Sequence, residues 1–239
     1  WNASKMRGIL NGISTVSYNP AADRSLRSLY SEANLSGKAD NKRSLQEYIG
    51  VNTDPDTPII AIVSRLVYHK GMSMVQEIME SLLREDVQLI VLGVGDVGYE
   101  QYFKWLENQY PGKVSINLKF DNAFSRRIYA GSDIFLMPSV SEPCGLSQMI
   151  ACRYGTVPVV RETGGLKDSI RDYSAGNGNG FTFSGMDPAS LRDAINRAIE
   201  LYHRKDEWKA LVEHIMGIDF SWERSASDYE NVYKELIDF

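Results

Sequence analysis

The chain has 239 residues, 43% hydrophobic and 24% charged, with a formal net charge of -5. This is enough apolar material for the core of one large α/β domain or two small ones, and the acidic balance, with Lys and Arg scattered rather than bunched, excludes a nucleic-acid surface. No apolar run approaches the roughly 20 residues of a membrane span, and the two cysteines, Cys144 and Cys152, set on one predicted helical segment, form neither a disulfide framework nor a metal-ligand spacing, so a cytoplasmic location is expected.

In chain order, "WNASK" reads as the interior of a longer chain, and "WNASKMRGIL" has no continuous apolar region of a leader. The first 57 residues are polar and loop-like apart from a predicted helix from Lys38 to Ile49, and "NTDPDTP" forms a turn before the first strand. From residue 58 short apolar runs alternate with amphipathic stretches. The runs are "PIIAIVSRL", "VQLIVLG", "VSINLKF", "IFLMPS", "VPVVRE" and "GFTFS", with helices predicted over 71–84, 98–110, 123–132, 145–155, 165–173 and 188–204. Near-continuous rather than alternating apolar runs are what strands buried on both faces of a parallel sheet require. The pattern predicts an α/β, doubly wound, parallel Rossmann-like sheet over 58–204. Asp187-Pro188 supplies an N-cap and a first-turn proline for the helix at 188. Residues 205–239 read as two further helices, the last beginning at Ser221.

In such a sheet, ligands bind beyond the carboxyl ends of the strands. Four strand-end loops carry unusual residues. In "SRLVYHKGM", Arg65 and Lys70 bracket a loop that ends in a glycine, so both cations can face one anion such as a diphosphate; the alternative is that both simply sit in water. His69 reads as an exposed neighbour of Lys70, and His203 and His214 as helix-surface residues. "VLGVGDVGYE" holds Gly93, Gly95 and Gly98 at dinucleotide-fingerprint spacing, yet the next strand has no acid until Asp121. Gly95 and Asp96 could equally line another nucleotide, or the glycines could serve backbone geometry alone.

In "KFDNAFSRRIYAGSD", Phe120 is expected as the last residue of its strand, where its ring either stacks on a base or fills core. Ile128 and Tyr129 are expected inward and Arg126 and Arg127 on a solvated face. In "SVSEPCGLSQ", Pro143 ends the strand register and Gly145 allows close backbone approach. Backbone N–H groups near Gly145, Leu146 and Ser147 then offer donors, and Glu142 an acceptor for a hydroxyl-rich ligand. Cations for a diphosphate, an aromatic for a base and a carboxylate for hydroxyls make the chemical inventory of a nucleotide-sugar site.

The segments "GILNGI", "VSRLVYHKG", "VLGVGD", "RRIYAGSDIFLMPSVSEPCGLSQMIACRYGTVPVVRETGGLKDSI" and "DFSWERSASDYENVY" resemble, in collinear order from about Arg7 onward, the C-terminal half of the bacterial glycogen synthase and starch synthase family. The resemblance implies a retaining glucosyltransferase on a GT-B fold, moving glucose from ADP-glucose to the non-reducing 4-OH of an α-1,4-glucan, with ADP as product and neither cofactor nor metal. It implies that Arg65 and Lys70 hold the diphosphate and stabilise it as it leaves, and that Glu142 binds glucose hydroxyls. Cys144, Gly145 and Leu146 then offer backbone groups to glucose and phosphate, Ser147 lies near the diphosphate, and Phe120 lies against adenine.

Two positions depart from the wider pattern. The second Glu common in that superfamily falls on Ile150, and Ser147 stands where threonine is common. The family's N-terminal domain, with its Lys-x-Gly-Gly loop, has no counterpart in these residues. The C-terminal helices are therefore expected to pack toward that domain, leaving Trp222, Tyr229 and Tyr233 partly unburied, and the chain alone is expected to be inactive. An NAD-dependent oxidoreductase domain and a non-catalytic glucan-binding module are the rival readings.

Overall fold

The computed structural model describes residues 6–237, so the opening "WNASK" lies outside the described residues. Six strands form one sheet: β1 (Ile59–Val63), β2 (Gln88–Leu92), β3 (Val114–Asn117), β4 (Ile134–Met137), β5 (Val157–Arg161) and β6 (Phe181–Phe183). Every pairing is parallel, in the order β3-β2-β1-β4-β5-β6. Side chains from Ile59 to Ile62 and from Leu89 to Val91 are at most 1% exposed, the burial that the unbroken apolar runs call for. The expected doubly wound sheet is what forms.

The crossovers are α2 (Met72–Leu82), α3 (Val97–Gln109), α4 (Asn122–Gly131), α5 (Ser147–Arg153) and α6 (Gly164–Ser169), preceded by α1 (Ser36–Ile49) and followed, after β6, by α7 (Pro188–His203), α8 (Lys205–Met216) and α9 (Trp222–Ile237). Each crossover turns an apolar stripe to the sheet; in α2 these are Met72, Val75, Ile78, Met79 and Leu82. Helix α7 starts as its sequence dictates, the Asp187 carboxylate accepting from Ser190 N at 2.8 Å with Pro188 in the first turn.

The segment before β1 is tied to the sheet layer. Lys42 pairs with Asp133 at 2.9 Å, and the same carboxylate accepts Ile59 N at 2.8 Å, so α1 is fixed to the starts of β1 and β4. Lys38 Nζ donates to the carbonyls of Ala130, Ser132 and Tyr154. Burial pushes that ammonium down to about 7, against an opposing pull from Asp133 and with a further push from Lys42.

Here one expectation fails. Arg126 is not solvated: it bonds Ser17 O and Asp23 and stacks on Tyr18, whereas Arg127 is exposed as expected, donating to Ser25 O at 3.0 Å and lying over Tyr48. The Arg126 side of α4 is covered by residues roughly a hundred positions earlier, which helical periodicity cannot reveal.

At the other end, α9 begins at Trp222, one residue after the expected Ser221, and Ser225 is its one buried residue. Trp222, Tyr229 and Tyr233 are 48%, 45% and 60% exposed. The chain's entry and exit run side by side: Ile13 N donates to Phe220 O at 2.8 Å, and Ser225 Oγ to Leu10 O at 2.8 Å. Among the described residues no helix is long and apolar enough to cross a membrane.

Candidate nucleotide-sugar site

The strand order reverses between β1 and β4, the point at which an open parallel sheet places its ligand crevice. The loop after β1 carries Arg65, a short 3-10 turn (Tyr68–Lys70), and Gly71, which starts α2 with a φ of 79°. A Cβ at Gly71 would stand 2.0 Å from the Pro138 carbonyl oxygen, so glycine is required for the two loops to approach. Val140 N donates to His69 O at 2.9 Å and joins them. The consequence is a direct ion pair between Lys70 Nζ and Glu142 Oε2, residues 72 positions apart, with side chains 17% and 10% exposed. Ser139 Oγ also donates to Glu142 at 3.2 Å. Arg65 is exposed, 3.1 Å from the His69 ring, and among the described residues it meets no carboxylate.

The loop from Pro138 to Leu146 is held by its backbone. Arg161, on β5 and 9% exposed, donates to the carbonyls of Ser139 and Val140. Gly165 N donates to Glu142 O at 3.1 Å and Pro143 O at 3.2 Å. Gln148 Nε2 donates to Cys144 O at 3.2 Å and Gly145 O at 3.0 Å. A Cβ at Gly164 would lie 2.1 Å from Glu142 O, and one at Gly165 would lie 2.3 Å from Cys144 O. These three supports were not singled out from sequence, although the doubled glycine of "TGGL" is a signal for close backbone approach.

A cavity of about 340 Å³ opens beside this loop, bordered by Arg65, Phe120, Tyr129, Leu146 and Ser147 and by Tyr18 from the lead-in segment. It brings together four of the expected residues. Gly95 and Asp96 are exposed at the start of α3, outside its lining. Lys70, Glu142 and Gly145 also lie outside the lining, the first two joined in their ion pair. Cys144 lines, with Pro143, a second cleft of about 780 Å³ that faces Gly8–Asn11 and α9, so the Pro143–Ser147 turn divides two openings. Burial pushes the Tyr129 phenol up to about 12, keeping it a neutral hydrogen-bonding group in the cavity wall.

Two local expectations are corrected, and for the glycine fingerprint one of the open readings is favoured. Phe120 is not a strand residue: β3 ends at Asn117, opposite the last residue of β2, and Phe120 stands in the following loop 86% exposed. Cys144 is not helical, because α5 starts at Ser147; Cys152 alone is on it, fully buried, and burial pushes its thiol well above the usual range. The glycine fingerprint has its own backbone reason. A Cβ at Gly93 would lie 1.8 Å from Ser64 O and one at Gly95 2.1 Å from Leu66 O, whereas Gly98 has nothing within 4 Å. The first two glycines admit the β1 loop; the third makes none of the close helix–strand contact that a dinucleotide fold uses it for.

Comparison with known proteins agrees with this geometry. Residues 47–212 match the family of glycosyl transferases group 1. The chain is 47% identical over 236 residues to a glycogen synthase of Bacillus cereus (strain B4264), covering 98% of this chain and 50% of that protein. It is 48% identical over 233 residues to a glycogen synthase of Clostridium botulinum (strain Alaska E43 / Type E3), covering 97% and 49%. The chain thus spans about half the length of the curated relatives it matches.

Among solved structures, the catalytic domain of starch synthase IV from Arabidopsis thaliana, bound to ADP and acarbose, superposes with a TM-score of 0.91 at 38% identity over 99% of this chain and 50% of that one. Sucrose-phosphate synthase from Thermosynechococcus elongatus, at 20% identity and a TM-score of 0.68 over 97% of this chain and 53% of that one, shares the fold. The fold is a Rossmann-like GT-B half, and the oxidoreductase reading is not favoured. With the reversal point, the paired loops and the match over 47–212 in agreement, the chain belongs to the glycosyl transferases group 1 family.

Proposed function

We propose that this chain is the nucleotide-sugar-binding half of a glycogen or starch synthase, which transfers glucose from ADP-glucose to the non-reducing end of an α-1,4-glucan with retention. The observation that carries the reading is the Lys70–Glu142 ion pair at the strand-order reversal, with Arg65 of the same β1 loop bordering the cavity that holds Phe120 and Ser147.

In this reading Arg65 and Lys70 bind the diphosphate, Arg65 meeting no carboxylate among the described residues and Lys70 exchanging its contact with Glu142 for phosphate oxygens. The chemistry is electrostatic: two fixed cations stabilise charge as the diphosphate departs, beside an oxocarbenium-like sugar. Glu142 accepts glucose hydroxyls. Cys144, Gly145 and Leu146 present backbone groups to glucose and phosphate, and Ser147 lies near the diphosphate. Phe120, exposed at the cavity rim, lies against adenine, with Gly95 and Asp96 further along the nucleotide. Position 150 holds Ile, so no acid is assigned to the role of the second Glu.

Residues 1–57 are read as a lead-in segment, 58–204 as the nucleotide-sugar domain and 205–239 as helices that pack toward the other half of the enzyme. The exposed aromatic face of α9 supports that last assignment. Two free thiols suit a cytoplasmic enzyme.

The test is calorimetric titration of the chain with ADP, UDP and NAD, together with a glucan-elongation assay. Weak ADP binding with no elongation is expected. NAD binding tighter than ADP, or elongation by this chain without a partner, refutes the proposal.

A further inference from the structure

The cavity wall opposite the strand ends is made by a residue far from any glycine-rich or cationic loop. Tyr18 is half-buried and borders the same cavity as Arg65, Phe120 and Ser147. It lies in the lead-in segment, outside residues 47–212 that match the broad family.

A connected polar network holds it. The Arg126 guanidinium covers the Tyr18 ring at 4.7 Å from the centroid and donates to the neighbouring Ser17 carbonyl. The same Arg126 nitrogen reaches Asp23 at 3.2 Å, and the Tyr154 hydroxyl donates to that carboxylate oxygen. Asp23 is 8% exposed and Tyr154 0%. Burial alone would push the Asp23 carboxyl up, but the Tyr154 hydroxyl, Ser25 N and Arg126 together hold it below the usual carboxylate range. Burial and the Asp23 charge push the Tyr154 phenol well up. Across neutral pH the network therefore has one protonation state, and a guanidinium locked in it has one position.

A guanidinium on an aromatic face is a rigid contact, since both groups are planar. What the network holds is a fixed ring at a cavity that Tyr129 and Phe120 also border, Phe120 standing 86% exposed. We propose that Tyr18, positioned by Arg126 and Asp23, is a specificity-determining residue that packs against the nucleoside end of a bound nucleoside diphosphate. This rests on the nucleotide-sugar reading of the same cavity. The ligand class follows from the lining: Arg65, which meets no carboxylate among the described residues, for phosphate, and the rings of Tyr18 and Phe120 for a base and ribose.

The test compares ADP with inorganic pyrophosphate, which shares the anionic end and lacks the nucleoside, by calorimetric titration of the wild-type chain and of Tyr18→Ala, Tyr18→Phe and Arg126→Lys. Tyr18→Ala is expected to weaken ADP about tenfold, the order of one ring–base contact, and to leave pyrophosphate unchanged. Tyr18→Phe should keep ADP affinity within about twofold, and Arg126→Lys should weaken ADP but not pyrophosphate, because a point charge cannot hold the ring flat.

If wild type binds ADP and Tyr18→Ala binds it equally well, the inference is overturned and the site reading stands. Equal loss of both ligands in Tyr18→Ala also overturns it, since that marks a merely structural role. A loss in Tyr18→Phe as large as in Tyr18→Ala does the same, because the hydroxyl would then be the contact. A wild-type chain that binds neither ligand removes the site reading and this inference with it.

Discussion

Replacing Lys70 by Met removes the cation from Glu142 while keeping most of the apolar stem. The carboxylate, in a side chain 10% exposed, would be left with Ser139 Oγ at 3.2 Å as its one named donor. Exposed ion pairs contribute about 0–1 kcal/mol, whereas stripping one partner from a buried pair costs about 3–5 kcal/mol because a charge is stranded. With 17% and 10% exposure this pair stands near the buried limit, at its edge toward solvent, so a loss of about 3 kcal/mol is expected. For a chain of this size that is a fall in Tm of about 6–12 °C, read by thermal unfolding.

The decisive comparison is the double variant. If the cost is the stranded carboxylate, Lys70→Met with Glu142→Gln recovers most of it, because a neutral amide loses far less on burial than an ion. A single-variant shift under about 2 °C, or a double variant no better than the single, would refute the attribution.

Gly71→Ala combines a left-handed φ of 79° with a Cβ 2.0 Å from the Pro138 carbonyl, whereas Gly50→Ala has a similar φ of 72° and nothing within 4 Å. In urea unfolding Gly50→Ala should lose about 1–2 kcal/mol, the left-handed strain alone, and Gly71→Ala clearly more; equal losses would show that the loops do not approach as described. Asp172 supplies a pH dependence. Burial alone would raise its carboxyl, but Thr182 N, Arg197 and Ser174 draw it down to about 2. Its folded value is below its unfolded one, so its stabilising contribution is whole above about pH 4 and is lost as pH falls toward 2. Asp172→Asn should lower stability at pH 7 and flatten that acid limb in a Tm-against-pH series, and an unchanged limb contradicts the assignment.

What was legible from sequence was whatever local chemistry fixes. Strands such as "IIAIV" are apolar on both faces because both are covered, and Asp187-Pro188 starts a helix by its own hydrogen bonding. Arg65, Lys70 and Glu142 were singled out because each lies in a loop beyond the carboxyl end of a strand, where open parallel sheets bind ligands. Phe120 was misread because "VSINLKF" continues its apolar run past Asn117, while the neighbouring strand that must pair with it ends at Leu92. Arg126 looked solvated because its partners, Tyr18 and Asp23, lie about a hundred residues away. Arg161 and Gly165 went unnoticed for the same reason, their work being done on carbonyls of another loop.

The grip on the Glu142 loop is a grip on its carbonyls, by Arg161, Gly165 and Gln148. Carbonyl oxygens are common to all twenty residue types, so the path of this turn is insured against changes in its own lettering. Cys144 and Leu146 are thereby free to vary, each reshaping the opening it borders, without moving Glu142. The vulnerable positions sit elsewhere in the chain, at Arg161 and the paired glycines Gly164 and Gly165. An edit to the turn's own side chains leaves its path intact, whereas an edit to the clasp dismantles it.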